Sequence, residues 1–190
     1  MAVWHRKIII AFLALLFLLA QGSCKLNSRY KTLDEAIAKD MPYEVKEIIH
    51  IEKLPDHAIV LYRTPVELPN VSGVDTIAVA FMYGNDEIGW KNDGPKGWSH
   101  YENNDMTLFI ETAAYSYEYE DDEVRDRIQV VFGQMHNTDI KKVKVAGTDK
   151  DYVDTDIIQT VSGRYYFKVG KYQIVQGLSE DGEVLHQQGG

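Results

Sequence analysis

Val45-Lys46-Glu47-Ile48-Ile49-His50-Ile51-Glu52-Lys53-Leu54-Pro55-Asp56-His57-Ala58-Ile59-Val60-Leu61-Tyr62-Arg63 is the stretch on which the fold turns. Its first half mixes Val45, Ile48, Ile49 and Ile51 with charged residues, and its second half, Ala58 to Arg63, is apolar almost to its end. Leu54-Pro55-Asp56-His57 separates them with turn chemistry, because proline presets φ and aspartate bonds to nearby backbone. β-Branched and aromatic residues on both sides of such a turn predict an antiparallel hairpin over residues 44–63.

The same pattern extends downstream. Thr76 to Tyr83 is an apolar run, Gly84-Asn85-Asp86-Glu87 turns it, and Ile88-Gly89-Trp90-Lys91 leads back. Thr64 to Asp75 and Asn92 to Asp105, rich in Gly, Pro, Asn and Asp, read as loops. Met106 to Tyr119, Ile128 to Phe132, Ile140 to Val145, Ile157 to Val161, Arg164 to Val169 and Tyr172 to Gly177 read as strands, with Tyr115, Tyr117 and Tyr119 on one face of the first. Gly170-Lys171 is a two-residue hairpin candidate. Residues 178–185 predict a tight turn with Gly182 in the left-handed position, and His186 to Gly190 is expected to fray.

Upstream, Thr32-Leu33-Asp34-Glu35 is a capping box that opens a short helix, with Leu33, Ala36 and Ile37 on one face and Pro42 as the stop. About ten strands and one helix predict a mainly β (α+β) fold, an antiparallel β-sandwich or partly closed barrel with one short N-terminal helix.

The N-terminus reads as an address. Arg6 and Lys7 precede the unbroken apolar run Ile8 to Ala20, which is short for a membrane span of roughly 20 residues and suits the core of a signal peptide over residues 1–23. Gly22 and Ser23 precede Cys24, a resemblance to the lipobox of bacterial lipoproteins. Cys24 is therefore the expected site of lipidation, residues 24–31 a tether, and residues 32–190 a single β-rich extracytoplasmic domain anchored to the outer face of the cell membrane. Gln21 stands where an aliphatic residue is usual, which leaves secretion without an anchor as the alternative. The chain has one cysteine, so no intramolecular disulfide can form and the domain must rest on its core.

With 29 acidic against 20 basic residues the chain is a poor nucleic-acid binder, since phosphate contacts require a basic surface. Membrane association is then expected through the lipid rather than through charge.

The chemistry-bearing residues are few. Serines lack the flanking glycines of a nucleophile elbow, and no His-Glu-x-x-His or Cys/His spacing for zinc occurs. Asp149, Asp151, Asp154 and Asp156 are a weak metal candidate of the calcium type, without the glycine and closing glutamate of an EF-hand; a solvated acidic turn is the plainer reading. Trp90, Trp98, His100 and Tyr101 are a weak ligand-binding candidate, aromatics in or beside a loop rich in Gly and Asn; the plainer reading is that the tryptophans cap a β core. No catalytic residue is assigned and no cofactor is expected. The reading that follows is a non-enzymatic binding or interaction module whose partner is an envelope protein or a small ligand. Its rivals are an extracytoplasmic carboxylate-dependent hydrolase and a structural envelope protein.

The layout resembles uncharacterised small lipoproteins of Firmicutes, the Bacillus-like bacteria. The resemblance is carried by the leader with its cysteine, Ala36-Ile37, the hairpin strands Val45 to Glu52 and Ala58 to Tyr62, Val131 to Met135 with Ile140 to Val145, and the ending Ile174 to Leu185. It implies the address and a β-rich body, and no activity.

Overall fold

The computed structural model describes residues 29–66, 74–94, 105–115 and 126–190. The order is α1 (Leu33–Lys39), β1 (Glu47–Leu54), β2 (His57–Pro65), β3 (Asp75–Asn85), β4 (Gly89–Asn92), β5 (Phe109–Tyr115), β6 (Asp126–Met135), β7 (Lys142–Ala146), β8 (Val153–Thr155), β9 (Ile157–Gln159), β10 (Arg164–Val169), β11 (Ile174–Leu178) and β12 (Val184–Gly189). The strands form three four-stranded antiparallel sheets: β1-β2-β3-β4, β5-β6-β10-β9 and β12-β11-β7-β8, called here sheets 1, 2 and 3. No described helix is long and apolar enough to cross a membrane.

The layers follow from residue parity. On β2 and β3 the odd-numbered Ile59, Leu61, Ile77, Val79 and Phe81 meet Val130, Phe132, Tyr165 and Phe167 of sheet 2. Even-numbered Ala58, Val60, Tyr62, Ala78, Ala80 and Met82 point the other way, onto Leu33 and Ala36 of α1 and onto Trp90. On sheet 2, Val131, Met135 and Tyr166 turn away from sheet 1 to join Val143, Val145 and Val175 of sheet 3. The stack is thus helix, sheet, sheet, sheet. Sheets 1 and 2 are covered on both faces, which is why β2 and β3 are near-continuous apolar runs.

The sequence expectation offered a sandwich or a partly closed barrel; the sheets are stacked and none closes into a barrel. Four strands cannot curl around an interior, and the two central sheets bury both faces instead of enclosing one. The chain laces sheets 2 and 3 together by switching between them after β6, between β8 and β9, and after β10. Gly170-Lys171 is accordingly no hairpin turn, because β10 and β11 belong to different sheets. Of His186 to Gly190, expected to fray, all but Gly190 lie in β12, where the ladder to β11 outweighs their polar character. The acidic run 149–156 also holds a strand, β8, paired with β7.

Thr32 caps α1 as expected, its hydroxyl accepting from the Glu35 amide at 3.2 Å, while the Glu35 carboxylate accepts from the Lys31 rather than the Thr32 amide.

Candidate binding cleft between the first two sheets

The apolar residues of β1 do not keep to one parity, and the reason is a β-bulge. Ile48 pairs with Tyr62 and His50 with Leu61, so Ile49 is the extra residue. Beyond the bulge the phase is reset: Ile48 and Ile51 pack toward α1, while Ile49 and His50 both turn to the seam between sheets 1 and 2. A bulge is a device for re-aiming a side chain. Here it sets the His50 ring 5.1 Å from the Phe167 ring, tilted by 50°. Glu52, two residues on, brings a carboxylate oxygen to 3.2 Å from His50 Nε2.

The opposite wall comes from the corner where the chain leaves sheet 3 for sheet 2. Asp156 is the single residue between β8 and β9. The corner is pinned by the Thr155 hydroxyl, which donates to the Phe167 carbonyl at 2.8 Å. The result is a cleft of about 320 Å³ lined by His50, Glu52, Asp156, Ile158, Phe167, Lys168 and Val169. Phe167 and Val169 pack toward sheet 1 and Tyr166 toward sheet 3, so strand alternation sends the Lys168 side chain away from the cleft and leaves its backbone as lining. The side chains facing in are therefore two carboxylates and an imidazole above an apolar floor.

Further along the same seam lies a polar cluster with members from both sheets. Arg63 on β2 donates to Glu47 on β1 at 3.2 Å and also to Asp75 on β3, which Lys46 meets at 2.7 Å. From the β9–β10 turn, Ser162 Oγ lies 2.8 Å from the Tyr165 hydroxyl and 2.9 Å from Thr160 Oγ1. The Ser162 hydroxyl, with help from Thr160 and Arg63, holds the Glu47 carboxyl below its ordinary range. Hydrogen bonds from Lys46 and then Arg63 do the same for Asp75. Glu111 is the opposite case. It lies on β5 between Phe109 and Ala113, which face the apolar layer, and burial pushes its carboxyl up.

These shifts have opposite signs in a pH titration. Glu47 and Asp75 bind fewer protons folded than unfolded, so the stability they contribute is complete above the ordinary carboxylate range and is lost as pH falls through their lowered values. Glu111 binds more protons when folded, so its penalty is complete above its raised value and vanishes below the ordinary range. Urea midpoints between pH 3 and 8 should therefore place Glu111→Gln above the wild type at neutral pH, with the gap closing on acidification. Asp75→Asn should fall below the wild type at neutral pH, with its gap closing in acid as well. A pH-independent gap for either variant would remove titration as the cause.

The residues expected from sequence are placed as follows. Cys24, Trp98, His100 and Tyr101 lie outside the described residues. Trp90 is 5% exposed, packs in the layer under α1, and donates from Nε1 to Asp86 at 2.8 Å. Asp149 accepts from the Asp151 amide at 3.4 Å in the turn before β8, Asp154 lies 3.9 Å from Lys144, and Asp156 is in the cleft. The four aspartates are not brought together, and among the described residues no three His, Cys, Asp or Glu side chains form a metal-holding group. His50, Glu52 and Phe167 were missed by sequence reasoning. The signal that could have found them is the broken alternation at Ile48-Ile49, which marks the bulge.

No protein-family model matches the chain, and neither a curated protein nor a solved structure is significantly similar to it.

Proposed function

We propose that this chain is an exported binding module, held by a lipid on Cys24 at the outer face of the cell membrane, that takes a small amine-bearing ligand into the cleft between sheets 1 and 2. The observation that carries the ligand reading is the bulge in β1, which sets His50 beside Glu52 over the Phe167 ring and opposite Asp156. Two carboxylates on the rim attract a protonated amine, and Ile158, Phe167 and Val169 suit its apolar stem. The address is supported by Arg6, Lys7, the apolar run Ile8 to Ala20, and Gly22-Ser23-Cys24. A hydrolase would need a carboxyl kept protonated by burial beside an ionised one. Among the described residues the carboxyl that burial raises is that of Glu111, and it is not among the residues of the cleft.

The ligand reading is tested by NMR titration with two fragments. n-Butylamine should shift the His50 and Phe167 ring resonances saturably, with an affinity of about 1 mM or weaker, and butyrate should leave them in place. Glu52→Gln combined with Asp156→Asn should abolish the response. Equal responses to both fragments, or none, would reject the amine site. The address is tested separately: a fatty-acid analogue fed to cells should label the wild type and spare Cys24→Ala.

A further inference from the structure

We infer that His50 is a pH gate on the cleft: a proton on its ring turns Glu52 from a partner for the amine into the partner of an internal ion pair, and the ligand is released. The inference rests on the reading of the cleft as an amine site.

The gate uses a contact that is already in place. His50 Nε2 lies 3.2 Å from a Glu52 carboxylate oxygen. A neutral imidazole carries one proton, and with that proton on Nε2 it donates to the carboxylate. A second proton enters at Nδ1 and adds a full positive charge while the contact to Glu52 persists. The ring rests against Phe167 at 5.1 Å, and the side chain is 32% exposed, so protons reach it from solvent.

The charged groups around the ring are few among the described residues. Glu52 shares its strand face, and Asp156 faces it from the corner between β8 and β9. On β2 its pairing partner is Leu61, and the basic group of that strand, Arg63, is engaged by Glu47 and Asp75. Sheet 2 presents the apolar Ile158, Phe167 and Val169, while the Tyr165 hydroxyl is held by Ser162 and the Lys168 side chain turns away. With a neutral His50 the cleft therefore holds two negative charges and no positive one. One proton on His50 halves that charge, engages Glu52, and sets a cation beside the place an ammonium would take.

The sign follows by linkage. The amine binds better to the form with fewer protons, so affinity is full where the imidazole is neutral and falls as pH drops through the range in which imidazoles take up charge, ordinarily between about pH 8 and 5. Ordinary carboxylates and alkylamines keep their charge over that interval, which leaves the imidazole to carry the change.

The test repeats the n-butylamine titration at pH 8 and pH 5.5, read on the Phe167 ring resonances. The wild-type Kd should be at least about fivefold higher at pH 5.5. His50→Gln cannot gain a charge, and its two Kd values should agree within about twofold. Reciprocity supplies a measurement that needs no variant: saturating butylamine should lower the midpoint of the His50 ring titration in the wild type. A wild-type Kd unchanged between the two pH values, an equal loss of affinity in His50→Gln, or a His50 midpoint that butylamine leaves in place overturns the gate while the amine site stands. No saturable response at pH 8 rejects the amine site, and the gate with it.

Discussion

Gly133→Ala should cost this protein at least about 3 kcal/mol of unfolding free energy, at or beyond the upper end of ordinary overpacking penalties. Gly133 is a mid-strand residue of β6 paired with Tyr166 of β10. The Tyr166 ring lies across it and donates its hydroxyl to the Thr107 carbonyl at 2.7 Å. A methyl group there would collide with the Thr107 carbonyl oxygen and lie 2.6 Å from the ring. The ring cannot swing aside without losing a buried hydrogen bond, and the carbonyl belongs to a segment tied to β6 by backbone bonds. Burial also raises the Tyr166 hydroxyl well above its ordinary range, as expected of a phenol kept neutral inside the core. The control is Gly182→Ala, where φ is +89° and no atom lies within 4 Å. That change strains backbone alone and should cost about 1 kcal/mol. Urea midpoints measured at equal m-value separate the two, and a Gly133→Ala cost no larger than that of Gly182→Ala would refute the steric account.

Trp90→Ala should cost about 3–5 kcal/mol, the usual range for emptying an aromatic site in a core. Trp90 packs with Leu33, Ala36 and Met82 where α1 meets sheet 1. Its backbone makes the bridge that covers the β4 edge, and its indole donates to Asp86. Trp90→Phe keeps most of the volume and loses the indole hydrogen bond, so its cost should be clearly smaller. Neither change should alter butylamine binding by the protein that remains folded, because Trp90 is not among the cleft's lining residues. Loss of binding with unchanged stability would return Trp90 to the ligand-contacting role that its glycine-rich neighbourhood suggested.

The extent to which the site was legible can be argued from His50. In sequence it is one of six histidines, flanked by isoleucines, with nothing to mark it. Its partners Asp156 and Phe167 lie more than 100 positions away and reach it only because β9 and β10 pack across the seam from β1. Glu52, two residues on, shares a face with His50 by ordinary strand alternation, but the Ile49 bulge decides that this face is the one toward the cleft. Asp156 has aspartates for neighbours in sequence, whereas a chain corner sets it against a histidine and a glutamate from sheet 1.

Local chemistry determined what local chemistry can. The Thr32 cap, the turn at Pro55-Asp56, the left-handed Gly182 and the apolar runs of β2 and β3 follow from propensities and side-chain periods within a few residues of one another, and they suffice for a β-rich antiparallel fold with one short helix. Only the tertiary structure decided that the stretch 45–63 is the middle of a stack, with α1 on one face and sheet 2 on the other. It decided too that β5, β6, β9 and β10 form one sheet while β7, β8, β11 and β12 form another. The physical reason is that a strand's period of two states which side chains share a face, but not which of several apolar faces it will meet. That choice depends on burial summed over residues distant in the chain, and here it turned the hairpin read over residues 44–63 into both a wall of the core and one side of the cleft.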